Sequence, residues 1–448
     1  MATKVIFKRS VTALLVFLYT FAAGLVFPAQ KALAIGPETL RLTLQDAIRL
    51  GLQKNPNIKL SQKTYDALSA NVGVVESGFY PQIQSSVSYN RATVNYAPSP
   101  GFPISGETSE NNTNYPFYSA GLSFNQLLFD FGQLSSTLHS SRKSADSADA
   151  DRRTAAAVLI LNVKQSYFGL LQNIQIEKVD EETVHQMEKH LEQAEGFFKV
   201  GSKPKFDVTK AQVDLTNAKL TLIKGKNDVQ VSRVVLNNAL GLPVDTFIEP
   251  LDELAYRKEE LDLNQAQKSA LENRPELASL ALKKESSVYN LEFSKRQYFP
   301  TLSANGSYMY RNSDFPLIYN WTVAATLSWP IFSGFQTARQ VDQAQANVEV
   351  SEAQEEIQVQ SVLLDVRQAF LNLVAAEEQI ATSELVVKQA TENLDLAEGR
   401  YKAGVGTAIE TTDAEVSLSN AKTSAVQALY SFNIAEAELH KAMGVDRP

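Results

Sequence analysis

The side chains that most often carry chemistry are few and poorly spaced for it. The chain has four histidines and no cysteine. His139, His185, His190 and His440 fall in no metal-ligand spacing, and His185 and His190 lie on different faces of a helix, so all four read as solvated. Gly404-Val405-Gly406 lacks the strand-before, helix-after setting and the lysine of a phosphate-binding loop. No Ser/His/Asp or Cys/His constellation stands out, and carboxylate pairs such as Glu410 and Asp413 are ordinary on charged helices. These residues predict no catalytic site, no metal site and no cofactor, and the chain does not read as an enzyme.

Composition narrows the class further. Lys and Arg number 42 against 50 Asp and Glu, a formal net charge of −8, which disfavours nucleic acid as a partner. Residues 1–34 carry Lys4, Lys8 and Arg9, an apolar run over 11–27, and then Ala32-Leu33-Ala34, the pattern of a cleavable signal peptide. Its removal would make the chain more acidic. The missing cysteines exclude a disulfide framework and a lipid-modified N-terminal Cys. No later stretch is apolar for the ~18 residues of a spanning helix. Any membrane crossing must therefore use strands.

The elements that would position functional residues are organised by a repeat. LTLQDAIRLGLQKNPNIKL, beginning at Leu42, recurs as LDLNQAQKSALENRPELASL, beginning at Leu261. The same register carries Tyr80-Pro81 onto Phe299-Pro300, Ile83 onto Leu302 and Tyr89 onto Tyr308. A second register carries Leu191, Ala194, Glu195 and Gly196 onto Leu394, Ala397, Glu398 and Gly399, and Leu215, Asn217, Ala218 and Lys219 onto Leu418, Asn420, Ala421 and Lys422. The registers change where the first copy has an Asn-, Pro- and Gly-rich stretch, 95–116, which reads as a long loop.

Repeat one spans 35–245, with strands near 81–92 and 117–129, a long helix near 134–198 and a return helix near 207–240. Repeat two spans 246–448, with strands near 300–311 and 321–332, a long helix near 337–402 and a return helix near 409–443. Each long helix lacks an internal proline and would reach about 100 Å. Clusters such as Val158, Leu159, Ile160, Leu161, Val163 and Tyr167, or Val362, Leu363, Leu364, Val366 and Phe370, supply faces for lateral helix packing.

The strands alternate with period two. Trp321, Val323, Ala325, Leu327 and Trp329 share one face, opposite Thr322, Ala324, Thr326 and Ser328. The two tryptophans would stand about 20 Å apart on a tilted strand, close to the height of an outer-membrane apolar band, with their rings at its two interfaces. The repeat puts Tyr118, Ala120, Leu122 and Phe124 on the equivalent face, with Ile83, Val87 and Tyr89 matching Leu302, Gly306 and Tyr308. Tyr89, Tyr118, Phe124, Tyr308, Trp321 and Trp329 are thus the candidate lipid-facing aromatic girdle. Gln82, Gln84, Ser86, Ser88, Ser303, Asn305 and Ser307 would face water.

Four strands cannot close a barrel, because unpaired edges are not tolerated in lipid and the smallest bacterial barrels need about eight. Closure must be shared between chains. Two, three or four copies would all give even strand counts.

With these features in order, the sequence resembles the TolC family of outer-membrane efflux and secretion channels over nearly all of its length past the leader. The resemblance rests on the repeated opening motif, the Tyr80-Pro81 and Phe299-Pro300 steps, LFDFGQ and IFSGFQ after the second strands, and the turns FKVGSKPKFDVTKAQ and YKAGVGTAIETTDAE.

It implies a membrane α+β fold, with four transmembrane strands and long helices per chain. A homotrimer would form a twelve-stranded barrel continued by a periplasmic helical barrel. It further implies contact with outer-membrane lipid, a periplasmic adaptor protein, and an inner-membrane efflux pump or ABC transporter. The chain would be the passive exit duct of such a pump or of a type I secretion system. The competing reading is a non-conducting periplasmic coiled-coil scaffold or adaptor, which leaves the Trp321 and Trp329 face unexplained.

Within the family the second turn narrows the tunnel mouth, with an aromatic, a basic and two acidic positions. They correspond to Tyr401, Gly406, Glu410 and Asp413, with Asp207 as acidic partner on the first turn. Gly406 stands where some members carry an Arg that ties the mouth shut, and Lys203 or Lys205 is a candidate substitute. Adaptor contacts map to Val200, Gly201 and Ser202 and to Ala403, Gly404 and Val405. Gly201 and Gly404 also suit helix C-caps, and Asp207 or Thr407 suits the cap of a return helix.

Overall fold

The computed structural model describes residues 40–94, 113–257 and 262–445. The predicted leader and most of the predicted 95–116 loop lie outside them.

Each repeat opens with a capped pair of helices. Thr43 begins α1 (Leu44–Lys54) with a capping box: its side chain accepts from Asp46 N–H and the Asp46 carboxylate accepts from Thr43 N–H. Asn55 then ends α1 and caps α2 (Pro56–Glu76), whose first residue is a proline. Repeat two builds the same corner: Asp262 caps α5 (Leu263–Asn273), and Pro275 opens α6 (Pro275–Arg296).

The long helices α3 (Gln133–Lys199) and α7 (Gln336–Lys402) have 67 residues each. They return through α4 (Lys205–Leu240) and α8 (Ala408–Ala442). Lateral packing runs α2–α3–α6–α7 in the half nearer the strands, while α3 packs on α4 and α8, and α8 on α7, in the other half. Both halves are therefore four helices wide, as many as there are strands in the large sheet.

Two apolar clusters hold the middle. One gathers Ile48, Leu159, Ile160, Val163, Tyr167, Leu236, Leu240 and Ile248; the other gathers Ala270, Val362, Val366, Leu373, Phe432 and Leu439. A short parallel pair, β1 (Leu40–Leu42) with β4 (Ile248–Pro250), covers the first of these. By length and composition α3 could cross a membrane. Leu159, Ile160, Val163, Tyr167 and Leu170 are buried against α1, α4 and the β1–β4 pair, so packing accounts for its apolar character.

The sheet is an antiparallel meander, β2 (Gln82–Val94), β3 (Thr113–Phe129), β5 (Thr301–Asn312) and β6 (Ile318–Ser328), in the order β2-β3-β5-β6. Two strand bounds depart from the sequence expectation by four residues, and β6 also begins at Ile318 rather than near 321. β3 starts at Thr113 rather than near 117, because Pro116 lies beyond the last β5 pair, Tyr118 with Asn312, where β3 is a single-sided edge. β6 stops at Ser328 rather than near 332, since Pro330 has no N–H to donate.

The passage from strand to long helix needs two successive left-handed residues, Phe131 and Gly132 in one copy and Gly334 and Phe335 in the other. Asp130 stabilises the first by accepting from Gly132 N–H at 2.9 Å and Leu134 N–H at 2.5 Å.

Candidate functional site

The candidate residues lie at two ends of the chain's long axis: the tips where the long helices turn back, and the sheet. At each tip the helix closes with a glycine at positive φ, Gly201 at 77° and Gly404 at 79°. Ser202 N–H donates to the Phe197 carbonyl and Val405 N–H to that of Arg400, at 3.0 and 3.1 Å, satisfying carbonyls that the helix end leaves open. Val200, Gly201, Ser202, Ala403, Gly404 and Val405 are all exposed.

The four residues assigned to the second turn divide into two kinds. Glu410 and Asp413 are exposed on the first turns of α8, whose N-cap is Thr407, accepting from Glu410 N–H. Tyr401 points inward and is 1% exposed. Its ring meets His190 at 5.4 Å and Phe197 at 5.6 Å, and the Lys203 ammonium sits 4.9 Å from its centroid. Burial, then the Asp207 charge, pushes its phenol above the ordinary range.

Asp207 does not cap α4. Pro204 occupies the cap position, which leaves Asp207 buried in the first turn, where its charge suits the helix N-terminus.

Gly406 has no space for an arginine. A β-carbon there would stand 2.9 Å from Tyr401 N and 3.0 Å from the Arg400 carbonyl carbon, because the turn folds back on the end of α7. Cations reach the turn from elsewhere. Lys203, on the first tip, donates to the Gly406 carbonyl at 3.1 Å, and Arg400 faces Glu410 at 3.4 Å. Of the two lysine candidates, Lys203 makes the bond, and Lys205 is exposed.

Three residues here were not singled out from the sequence. Arg400 is one, and the others are buried: His190 and Glu415. His190, read from the sequence as solvated, is 3% exposed. The signal was present, since His190 continues the buried stripe Val184, Met187, Ala194 on α3, and Glu415 continues Thr411 and Leu418 along one face of α8. Metal spacing alone could not reveal it.

In the sheet the register aligns the faces across all four strands. Tyr89 opposes Tyr118; Leu122 opposes Tyr308, which opposes Trp321; Phe124 opposes Gly306, which opposes Val323. This side is apolar and aromatic, with Phe124 lying over Gly306. Ser88 opposes Ser119, and Ser123 opposes Ser307, which opposes Thr322, on the polar side. Trp329 falls just past β6, its indole donating to the Tyr298 carbonyl at 3.1 Å. The outer edges of β2 and β6 have no partner strand among the described residues.

Residues 47–242 and 266–445 match the family described as outer membrane efflux protein. The chain belongs to that family. It is 25% identical over 412 residues to the outer membrane protein TolC of Escherichia coli, covering 87% of this chain and 80% of that protein. To the alkaline protease secretion protein AprF of Pseudomonas aeruginosa it is 25% identical over 439 residues, covering 95% and 88%.

Solved structures agree in fold. The outer-membrane channel OprN superposes with a TM-score of 0.78 at 19% identity, over 90% of each chain. The CmeC outer membrane channel of Campylobacter jejuni gives 0.78 at 18% identity, over 90% of this chain and 85% of that one. The family is one of outer-membrane efflux proteins, and membership makes this chain an outer-membrane exit duct.

Proposed function

We propose that three copies of the chain join their sheets edge to edge into a twelve-stranded barrel, and their four-wide helical layers into a tunnel below it. The observation that carries this reading is the sheet itself: two unpaired edges, one side apolar and aromatic, the other polar. Lipid satisfies the first side and water the second, while only neighbouring copies satisfy the edges.

In such a duct the tips form the mouth. Lys203 closes it in place of an arginine at Gly406, and Glu410 and Asp413 recur around the axis as rings of carboxylates that concentrate cations. The exposed Val200-Gly201-Ser202 and Ala403-Gly404-Val405 turns are the docking points for a periplasmic adaptor, through which the duct receives substrate from an inner-membrane efflux pump or ABC transporter. The duct is passive and performs no catalysis.

Planar-bilayer recording of the purified assembly tests the reading. Discrete conductance steps with cation preference are expected, and the preference should fall in a Glu410→Ala, Asp413→Ala double variant. A membrane-inserted assembly that never conducts would leave a scaffold as the better description.

A further inference from the structure

Beside the tips, the two helical hairpins meet over a buried polar seam that a closed mouth does not by itself require. His190 on α3 and Glu415 on α8 are 3% and 6% exposed, and neither His190 Nε2 nor Glu415 Oε2 has a hydrogen-bond partner. Leaving such buried polar atoms unpaired is costly.

The groups facing them come from all four helices. Asp207, Lys210 and Asp214 stand on α4, Glu398 and Tyr401 on α7, Glu182 and His185 on α3, and Lys422 on α8. Both lysines are committed to other carboxylates, Lys210 to Asp214 at 2.5 Å and Lys422 to Glu182 at 2.7 Å. A crevice of about 150 Å³, lined by Thr183, Gln186, Glu415 and Ser419 among others, reaches the Glu415 side of the seam. Across the same seam Thr412 donates to Asp214 at 3.1 Å.

We infer that the His190–Glu415 seam is a proton-set latch: with both side chains neutral it holds the two hairpins together, and charging either one draws water in and frees the second tip. The inference rests on the reading of these tips as the duct's mouth.

Burial opposes charge on both groups, and their signs differ. Burial, with the Glu398 and Asp214 charges behind it, pushes the Glu415 carboxyl up to about 7. The packed seam therefore keeps a proton that an open seam releases. Its stabilisation is full below the ordinary carboxyl value of 4.5 and is lost as pH rises through about 7.

His190 is pushed below its ordinary 6.5 by burial, against the pull of Asp214, Asp207 and Glu398. Its contribution is full above 6.5 and is lost as pH falls through the lowered value. The two contributions therefore run in opposite directions with pH, Glu415 holding the seam more firmly as pH falls and His190 as pH rises. With His190 removed, the Glu415 contribution alone should lower the closed-to-open ratio about tenfold per copy between pH 6 and pH 8, and His190 offsets part of that fall in the wild type.

The test uses the full assembly. Because the chain has no cysteine, one introduced by Val405→Cys carries a spin label whose mobility reports the tip, read beside bilayer open probability across pH. His190→Asn should show the full loosening as pH rises through about 7, Glu415→Gln only a tightening as pH rises through 6.5, and wild type a profile between the two. A Glu410→Gln, Asp413→Asn variant should keep the wild-type profile, which separates the seam from titration of the pore rings. If both seam variants retain the wild-type profile, the latch is overturned and the duct stands. Label mobility that follows pH with these variant effects, in an assembly that does not conduct, supports the latch and overturns the duct.

Discussion

At the scale of single residues, the tip shows how a position can be legible while its role is not. Gly406 stands where the resemblance puts an arginine in some members, so the sequence suggests a missing tie. The turn there is too tight for an arginine, and Lys203 of the first tip donates instead to the Gly406 carbonyl. No linear pattern joins residues 203 and 406; only the packing of the two hairpins does. Lys203 combines a hydrogen bond to a carbonyl with a cation–π contact to Tyr401, together worth about 1–2 kcal/mol. Lys203→Met should therefore raise open probability roughly 5- to 30-fold in bilayer recordings, with Lys203→Arg close to wild type. Equal open probability in Lys203→Met and wild type would remove the tie.

At the scale of elements, most of the architecture was readable because it follows from local rules repeated twice. The Asn55-Pro56 and Arg274-Pro275 corners, the proline-free long helices and the alternating strands all rest on backbone chemistry visible in one dimension. What escaped was set by tertiary contact: the inward turn of Asp207 and the burial of His190. The β1–β4 pair is of the same kind, since neither short strand would be chosen without the other.

Its anchor is Tyr167, whose hydroxyl lies 2.9 Å from both the Leu42 carbonyl and an Asp252 carboxylate oxygen. Asp252 in turn accepts from Leu44 N–H at 2.6 Å, tying the linker after β4 to the start of α1. Burial, then Asp252, pushes the phenol well above its ordinary range, so it remains a donor through neutral and mildly alkaline pH. Tyr167→Phe keeps the ring and loses the bonds. Thermal unfolding should show a destabilisation of about 1–3 kcal/mol, and limited proteolysis should show faster cleavage in the 243–262 linker. A variant with wild-type melting and cleavage would mean the pair is held by its apolar contacts alone.

At the scale of the whole molecule, the chain is legible as a fraction of something larger. One copy presents a sheet accessible on both sides and open at both edges, which no monomer in a membrane sustains. β2 runs away from the helices and β6 runs back toward them, so β6 of one copy meets β2 of the next antiparallel, extending the meander without a crossover. Facing must also match, which puts Ser86 of one copy on the same polar side as Ala324, Thr326 and Ser328 of its neighbour.

The absence of native cysteine makes this testable by pairing Ser86→Cys with a single cysteine scanned through those three β6 positions. One position should oxidise efficiently, and since every copy then carries both partners, the covalent ladder should stop at three chains. Ser86→Cys with Val323→Cys, on opposite sides of the sheet, should stay unlinked. A ladder ending at two or four would change the copy number while keeping the edge pairing. No cross-link at any scanned position would mean that the sheets do not join through these edges at all.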